Sequence, residues 1–317
     1  KIVAHFHEWL SGAGLLYLKK KNVKIATVFT THATVLGRTL ANSNVDLYNV
    51  WNKINPDQEV YKYNIEAKHL VEKNSAAFAD VFTTVSEITG MEAEYLLKKK
   101  PDVLLPNGLE ISKFPTFEEL VIKHKLQRDR IREFMLYYFF PYYTFDPKET
   151  LIYFIAGRYE FHDKGIDIFI KALGRLNERL KQAKSKKTIM AFIWVPANFR
   201  NIRPELLENK TLYQDIKDAL EEVIDDVEKN IIYSFVSDKK ISKESLFDEE
   251  FLTEMEIRIA KFVKKGKPPL LTHDLYDEND IILKTIVSVG LKNEEQDPVK
   301  IVYYPIYLSG ADGLLNL

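Results

Sequence analysis

Cysteine is absent from all 317 residues, which excludes disulfides, thiolate nucleophiles and cysteine-ligated metals. A reducing cytoplasm is permitted by that absence, and the cytoplasm is the expected compartment. Net charge is lacking too: 45 basic against 46 acidic side chains leave −1. Nothing electrostatic therefore draws the chain to nucleic acid or to an anionic membrane, and neither is expected as a partner. No apolar run reaches the roughly 20 residues that cross a bilayer. The longest, Phe134 to Phe145, is interrupted by Pro141, is rich in tyrosine, and reads as core or inter-domain packing. No Gly-x-Gly-x-x-Gly turn follows a strand, which argues against a dehydrogenase, and no internal repeat or low-complexity tract is visible. Lys1-Ile2-Val3-Ala4 goes straight into a strand pattern, so no signal peptide is expected, and residues 309–317 read as a small-residue loop. The sequence is expected to be a fragment that opens and closes inside domains. What remains is 46% hydrophobic and 29% charged, the composition of a folded globular protein long enough for two domains.

The rest of the chain is organised around residues 151–167. Leu151 to Ile155 is an uninterrupted run of strand length, and Ala156-Gly157 ends it; the pattern is that of a buried parallel strand. Just beyond stand Arg158 and Lys164 on a short loop, then Gly165 and a helical pattern through Ile166, Phe169, Ile170 and Leu173. Ligands of open α/β sheets bind where strands end. An arginine fork with a lysine point charge suits a phosphate or pyrophosphate, the other reading being two solvated surface cations.

Earlier in the chain, Ile2 to His7 alternates as a strand with His5 and His7 on one face. Glu8 and Trp9 lead into a helix whose Ser11, Gly12, Ala13 and Gly14 allow close approach. Two histidines and a glutamate in four residues could hold a metal, but no third ligand at recognisable spacing follows, and no metal is expected; His5 also reads as a core histidine. Lys24 to Thr31 is the next strand, and His32 at its end either donates to a sugar hydroxyl or caps the loop. Arg38 starts the following helix. Residues 42–80 read as helical around a polar loop at 52–57, with His69 exposed or satisfied within them. Asp80 to Ser86 is a strand, Ser86 an N-cap, and Val103-Leu104-Leu105 a short strand closed by Pro106-Asn107-Gly108. Phe117 to Phe139 is a charged periodic helix, and Ile189 to Val195 and Lys300 to Pro305 are further strands. Between about 205 and 266 two long amphipathic helices interrupt the β/α rhythm, after which Pro268 to His273 resumes the sheet. That pair reads as a protrusion that packs on another subunit, or as a hairpin packed on its own domain.

Several stretches resemble the glycogen synthase family of animals, fungi and some bacteria. They are His5-Phe6-His7-Glu8-Trp9, Phe29-Thr30-Thr31-His32-Ala33-Thr34 with Gly37-Arg38, Phe82 to Thr89, Lys100-Pro101-Asp102-Val103 leading to Pro106-Asn107-Gly108-Leu109, and Gly157-Arg158-Tyr159-Glu160-Phe161 with Lys164-Gly165. The resemblance implies an α/β protein of the GT-B class: two Rossmann-like domains facing a cleft, residues 1–110 and 111–317, with the helical insertion in the second. It implies a retaining glycosyltransferase that moves glucose from UDP- or ADP-glucose to the end of an α-1,4-glucan without a metal or other cofactor. Arg158, Lys164 and His32 would be catalytic, the two cations stabilising the departing diphosphate and His32 contacting glucose near the reacting carbon. His7, Glu8, Trp9, Arg38 and Asn107 would line the sugar and acceptor site, domain closure would exclude water, and the insertion would build a homo-oligomer, a tetramer in the family. The family's glycine-rich donor loop, its pair of carboxyl-terminal glutamates and its glucose 6-phosphate-sensing arginine helix lie outside these residues, so residues 1–317 alone are expected to catalyse little or nothing. A non-catalytic nucleotide-sugar or glucan-binding remnant of the same fold is the alternative.

Overall fold

In the computed structural model of the chain, residues 2–43 and 45–316 are described, and two compact units divide at Phe114 and Pro115.

The first unit alternates strands and helices. Strand β1 (Val3–His7) runs straight into helix α1 (Glu8–Lys20), and β2 (Ala26–Thr31) into α2 (Val35–Asn42). Short helices α3 (Leu47–Val50) and α4 (Pro56–Lys62) lead to α5 (Glu66–Phe78), β3 (Val81–Thr84), α6 (Glu87–Leu96) and β4 (Val103–Leu104). All four strands are parallel in the order β1-β2-β3-β4, so every strand ends on the same edge of the sheet. Asp80 sets where β2 begins. Its carboxylate accepts from the backbone N–H and hydroxyl of Thr27 and from Lys19, and those donors hold it down at about 2. β2 therefore starts at Ala26, two residues later than its apolar run suggests. Phe29 and Phe82 stack from β2 and β3 at 6.0 Å, and Leu15, Ala76 and Ala93 close over them from α1, α5 and α6.

In the second unit α7 (Phe117–Phe139) opens with a capping box. The Thr116 hydroxyl accepts from Glu119 N–H, and the Glu119 carboxylate accepts from Thr116 N–H, two orphan donors of the helix start satisfied at once. The N-terminal half of α7 is exposed, Phe117 at 77%; its second half, through Phe134 to Phe139, is core. Strand β5 (Leu151–Ala156), helix α8 (Ile166–Gln182) and strand β6 (Ile189–Trp194) follow. Then come β7 (Phe199–Ile202), α9 (Pro204–Glu222), α10 (Ile224–Val236), α11 (Lys243–Leu246), α12 (Glu249–Phe262), β8 (His273–Leu275), α13 (Ile281–Ser288) and β9 (Val299–Tyr304). The sheet is parallel, β5-β6-β9. Alternation along β6 splits its core: Met190, Phe192 and Trp194 face α7, whereas Ala191 and Ile193 face α8 and α13.

Three expectations are corrected. β5 is not a buried strand: it lies at the edge of the described sheet, with Phe154 59% exposed. Pro268 to His273 does not resume the sheet, apart from one bridge between Leu271 and Tyr303; β8 pairs antiparallel with β7 in a separate ribbon, and β7 had no visible sequence signal because Phe199-Arg200-Asn201-Ile202 is half polar. Residues 204–262 form four helices instead of a pair. The break at Val223 (φ −108°, ψ 6°) separates α9 from α10, and the Asp248 carboxylate, accepting from Phe251 N–H at 2.7 Å, starts α12 anew.

Gly174 of α8 sits against α13, where an added Cβ would lie 2.7 Å from Val289 Cβ and 2.9 Å from its carbonyl oxygen. Gly174→Ala is therefore expected to destabilise the second unit by about 1–3 kcal/mol through overpacking, read as a lowered midpoint in urea unfolding followed by circular dichroism.

Candidate functional site

Each unit presents its candidate residues at the carboxyl edge of its parallel sheet, where ordered loops can meet a ligand.

In the first unit a row of polar groups crosses the sheet. His5 Nε2 is 2.7 Å from Thr30 Oγ1, which is 2.5 Å from Thr83 Oγ1. His5 is an exposed edge-strand residue and not a core histidine. Its ring stands 4.1 Å from that of His7, and His7 stands 5.5 Å from His32, with His7 Nδ1 and His32 Nε2 3.2 Å apart. Sequence spacing hid the third imidazole because β2 delivers it from 25 residues away. Partial burial, with His7 and His32 adjacent, holds the His5 pKa below its ordinary value. Among the described residues no group of three His, Cys, Asp or Glu side chains is placed to hold a metal ion.

Beneath His32 the turn is held by carboxylates. Glu8 opens α1 with φ 61°, a left-handed backbone that non-glycine residues adopt at a cost, and its Oε1 accepts from His32 N–H at 2.9 Å. Glu92 of α6 accepts from the N–H and hydroxyl of Thr34 at 2.8 and 2.5 Å. Glu72 of α5 accepts from Val35 N–H at 2.8 Å and from the Thr31 hydroxyl at 2.7 Å. Thr34 in turn caps α2, its hydroxyl accepting from Gly37 N–H at 3.0 Å. Both Glu72 and Glu92 are buried. Burial raises the pKa of each against the hydrogen bonds it accepts, that of Glu72 to about 7. Neither glutamate stood out in the sequence; the signal available is that Glu72 shares a helix stripe with His69, Ser75 and Ala76, all buried.

Of the remaining candidates, Trp9 lies in the first turn of α1 with Lys68 Nζ 5.3 Å from its ring centre, and Arg38 is exposed on α2, its charge acting on Glu92. Asn107 is exposed on the strand-free stretch after β4, and the structure does not bring it to the histidines through any hydrogen bond among the described residues. His69 is fully buried, not exposed, and its ring nitrogens make no hydrogen bond among the described residues. Asp57 comes only to 3.6 Å, and desolvation keeps the ring's pKa low.

In the second unit Arg158 and Lys164 do come together. Glu160 lies between them, its Oε1 3.1 Å from Arg158 Nη2 and its Oε2 3.7 Å from Lys164 Nζ. The cations are 62% and 41% exposed, so these ion pairs contribute little stability and leave both charges available. Gly165 supplies φ +67° where the loop turns into α8, a conformation that favours glycine. The Tyr159 hydroxyl donates to Asp280 Oδ2 at 2.6 Å, while Asp280 Oδ1 accepts from Leu283 N–H and caps α13. The cationic loop is thereby tied to a helix far along the chain.

The comparisons agree along the whole length. The profile of the family described as Glycogen synthase matches residues 1–317. Glycogen [starch] synthase of Dictyostelium discoideum is 41% identical over the whole chain, which spans 36% of that protein. The liver glycogen [starch] synthase of Homo sapiens is 40% identical, again over the whole chain and 45% of the relative. Isoform 2 of Saccharomyces cerevisiae is 39% identical, with 46% of its length spanned. The chain thus covers less than half of each of these relatives.

Glu72 also makes stability pH-dependent. Its carboxyl titrates near 4.5 when unfolded and near 7 when folded, so between those values the folded state holds the extra proton and stability falls as pH rises. The Glu72→Gln variant lacks this loss. Its stability relative to wild type is expected to improve by roughly 3 kcal/mol from pH 4.5 to pH 8, measured by urea unfolding at both values; a pH-independent difference would refute it.

Proposed function

The chain belongs to the glycogen synthase family, and on that premise we propose that the full-length protein transfers glucose from a nucleotide-linked α-glucose to the non-reducing end of an α-1,4-glucan, with retention of anomeric configuration. The observation that carries this reading is the Gly157–Gly165 loop, which sets two cationic side chains on either side of Glu160 at the end of β5.

Glucosyl transfer passes through a transition state with oxocarbenium character while negative charge builds on the departing diphosphate. Arg158 and Lys164 suit that task because both keep their charge at neutral pH and share one anchored loop. Glu160 then acts as the resident counter-ion that the diphosphate replaces. In the first unit His32 and His7 present ring N–H groups or lone pairs suited to sugar hydroxyls, with Glu8, Trp9 and Arg38 around them and Asn107 as a further donor-sugar contact. These assignments imply a GT-B arrangement with UDP- or ADP-glucose as donor and a glucan as acceptor, with neither metal nor other cofactor, in the cytoplasm. No helix among the described residues is long and apolar enough to cross a membrane. Self-association, to a tetramer as the family resemblance implies, would use α10, where Ile232, Tyr233, Phe235 and Val236 stay exposed, Val236 at 82%. Apolar side chains grouped in this way mark association surfaces.

Arg158→Ala and Lys164→Ala in the full-length protein are each expected to lower kcat for incorporation of labelled glucose into glycogen on the order of a hundredfold to a thousandfold, with the circular dichroism spectrum unchanged. A folded Arg158→Ala protein that retains the wild-type rate would sink the reading.

A further inference from the structure

We propose that Glu72 and Glu92 are positioning residues for His32 and that, with Glu8, they reserve the His32–Val35 turn for a neutral, hydroxylated ligand. A turn from a parallel strand into a helix ordinarily leaves backbone N–H groups free at the positive end of the helix dipole, which is where phosphates bind. Here the N–H groups of His32, Thr34 and Val35 are already taken, by Glu8 at 2.9 Å, Glu92 at 2.8 Å and Glu72 at 2.8 Å. The hydroxyls of Thr31 and Thr34 donate to two of the same carboxylates. Gly37 lets the packing close: an added Cβ there would collide with the Glu92 carboxylate.

A phosphate entering this turn would have to displace a carboxyl group that is anchored by its own hydrogen bonds, and would then face the acceptor oxygens of the other two with the turn's amides still shared among them. An anion set among acceptors in a poorly solvated site is strongly disfavoured. A sugar hydroxyl needs none of those amides, because the half-exposed imidazole of His32 and the exposed one of His7 can serve it directly. Held at both ends, the His32 peptide keeps Nε2 3.2 Å from His7 Nδ1. That the hydroxylated ligand is a glucosyl group rests on the function proposed above; the filling of the amides does not.

Two measurements test this. In the full-length protein with selectively labelled histidine, threonine and valine, the amide resonances of His32, Thr34 and Val35 are expected to stay in place as inorganic phosphate is titrated in, and a saturable shift at these amides overturns the inference whatever reaction the protein catalyses. In the full-length protein, Glu72→Leu is expected to lower kcat for glucosyl transfer on the order of a hundredfold through misplacement of His32, with the donor KM changed by no more than roughly threefold. Glu72→Gln should restore most of the rate, since its carbonyl can accept from Val35 N–H and its amide can donate to Thr31 Oγ1. An unchanged kcat in Glu72→Leu, or an equal loss in a folded Glu72→Gln, overturns the positioning role. If Glu72→Leu does not fold, Thr31→Val removes one donor to Glu72 with little change in volume and is expected to lower kcat roughly tenfold; an unchanged rate there counts against the inference in the same way. Absence of glucosyl transfer in the wild-type protein would refute the proposed function, and the phosphate titration would still decide the character of the turn.

Discussion

Three glutamates from three helices converge on one turn, and the first unit is arranged so that they can. Glu8 comes from α1, Glu72 from α5 and Glu92 from α6, and each accepts a backbone N–H of the stretch 32–35. Burying two of these carboxylates is expensive, and only dense hydrogen bonding offsets it. The turn therefore cannot shift without leaving a buried charge or a buried amide unpaired. His32 inherits that rigidity. The close packing of α1 on α5, where Gly12 faces Ser75 and Val71, and the seating of α6 beside Gly37 serve the same constraint.

The second unit solves a different problem with a different device. Its cationic loop is mostly exposed, so burial cannot hold it. Instead Tyr159 reaches Asp280, and Asp280 simultaneously caps α13. Burial and the neighbouring carboxylate keep the Tyr159 pKa well above its ordinary value, so it remains a hydrogen-bond donor at neutral pH. One anchored residue between Arg158 and Glu160 is enough to place the charges on either side of it. Glu160 keeps the two cations from repelling each other when no anion is bound.

Much of this is legible in the sequence. The alternation of β1, the Ser86 cap of α6 and the span of α7 all follow local rules of period and capping. Arg158 and Lys164 could be picked out because they follow an apolar strand and precede a glycine. What local rules missed is equally specific. β7 is too polar to register as a strand, and β8 pairs with it antiparallel in a ribbon apart from the parallel sheet. Glu72 looks like an ordinary solvated residue in Glu66-Ala67-Lys68-His69-Leu70-Val71-Glu72, since nothing local says which face of α5 is inward. His5 reads as core until β1 proves to be an edge strand.

The sequence by itself determined most of the strands and helices of the first unit, the Ser86 cap of α6, the span of α7 and where the cations stand relative to a strand end, because those properties depend on neighbours within a few positions. It also pointed to the family, since the motif blocks that carry the resemblance stand in order along the chain. Only the tertiary structure decided that His32 joins His5 and His7, that Asp280 anchors Tyr159, and that Glu72 and Glu92 fill the amides of the β2–α2 turn. Each of those is a contact between residues 25 to 121 positions apart, and such contacts are set by how helices and strands pack, which a linear pattern does not encode.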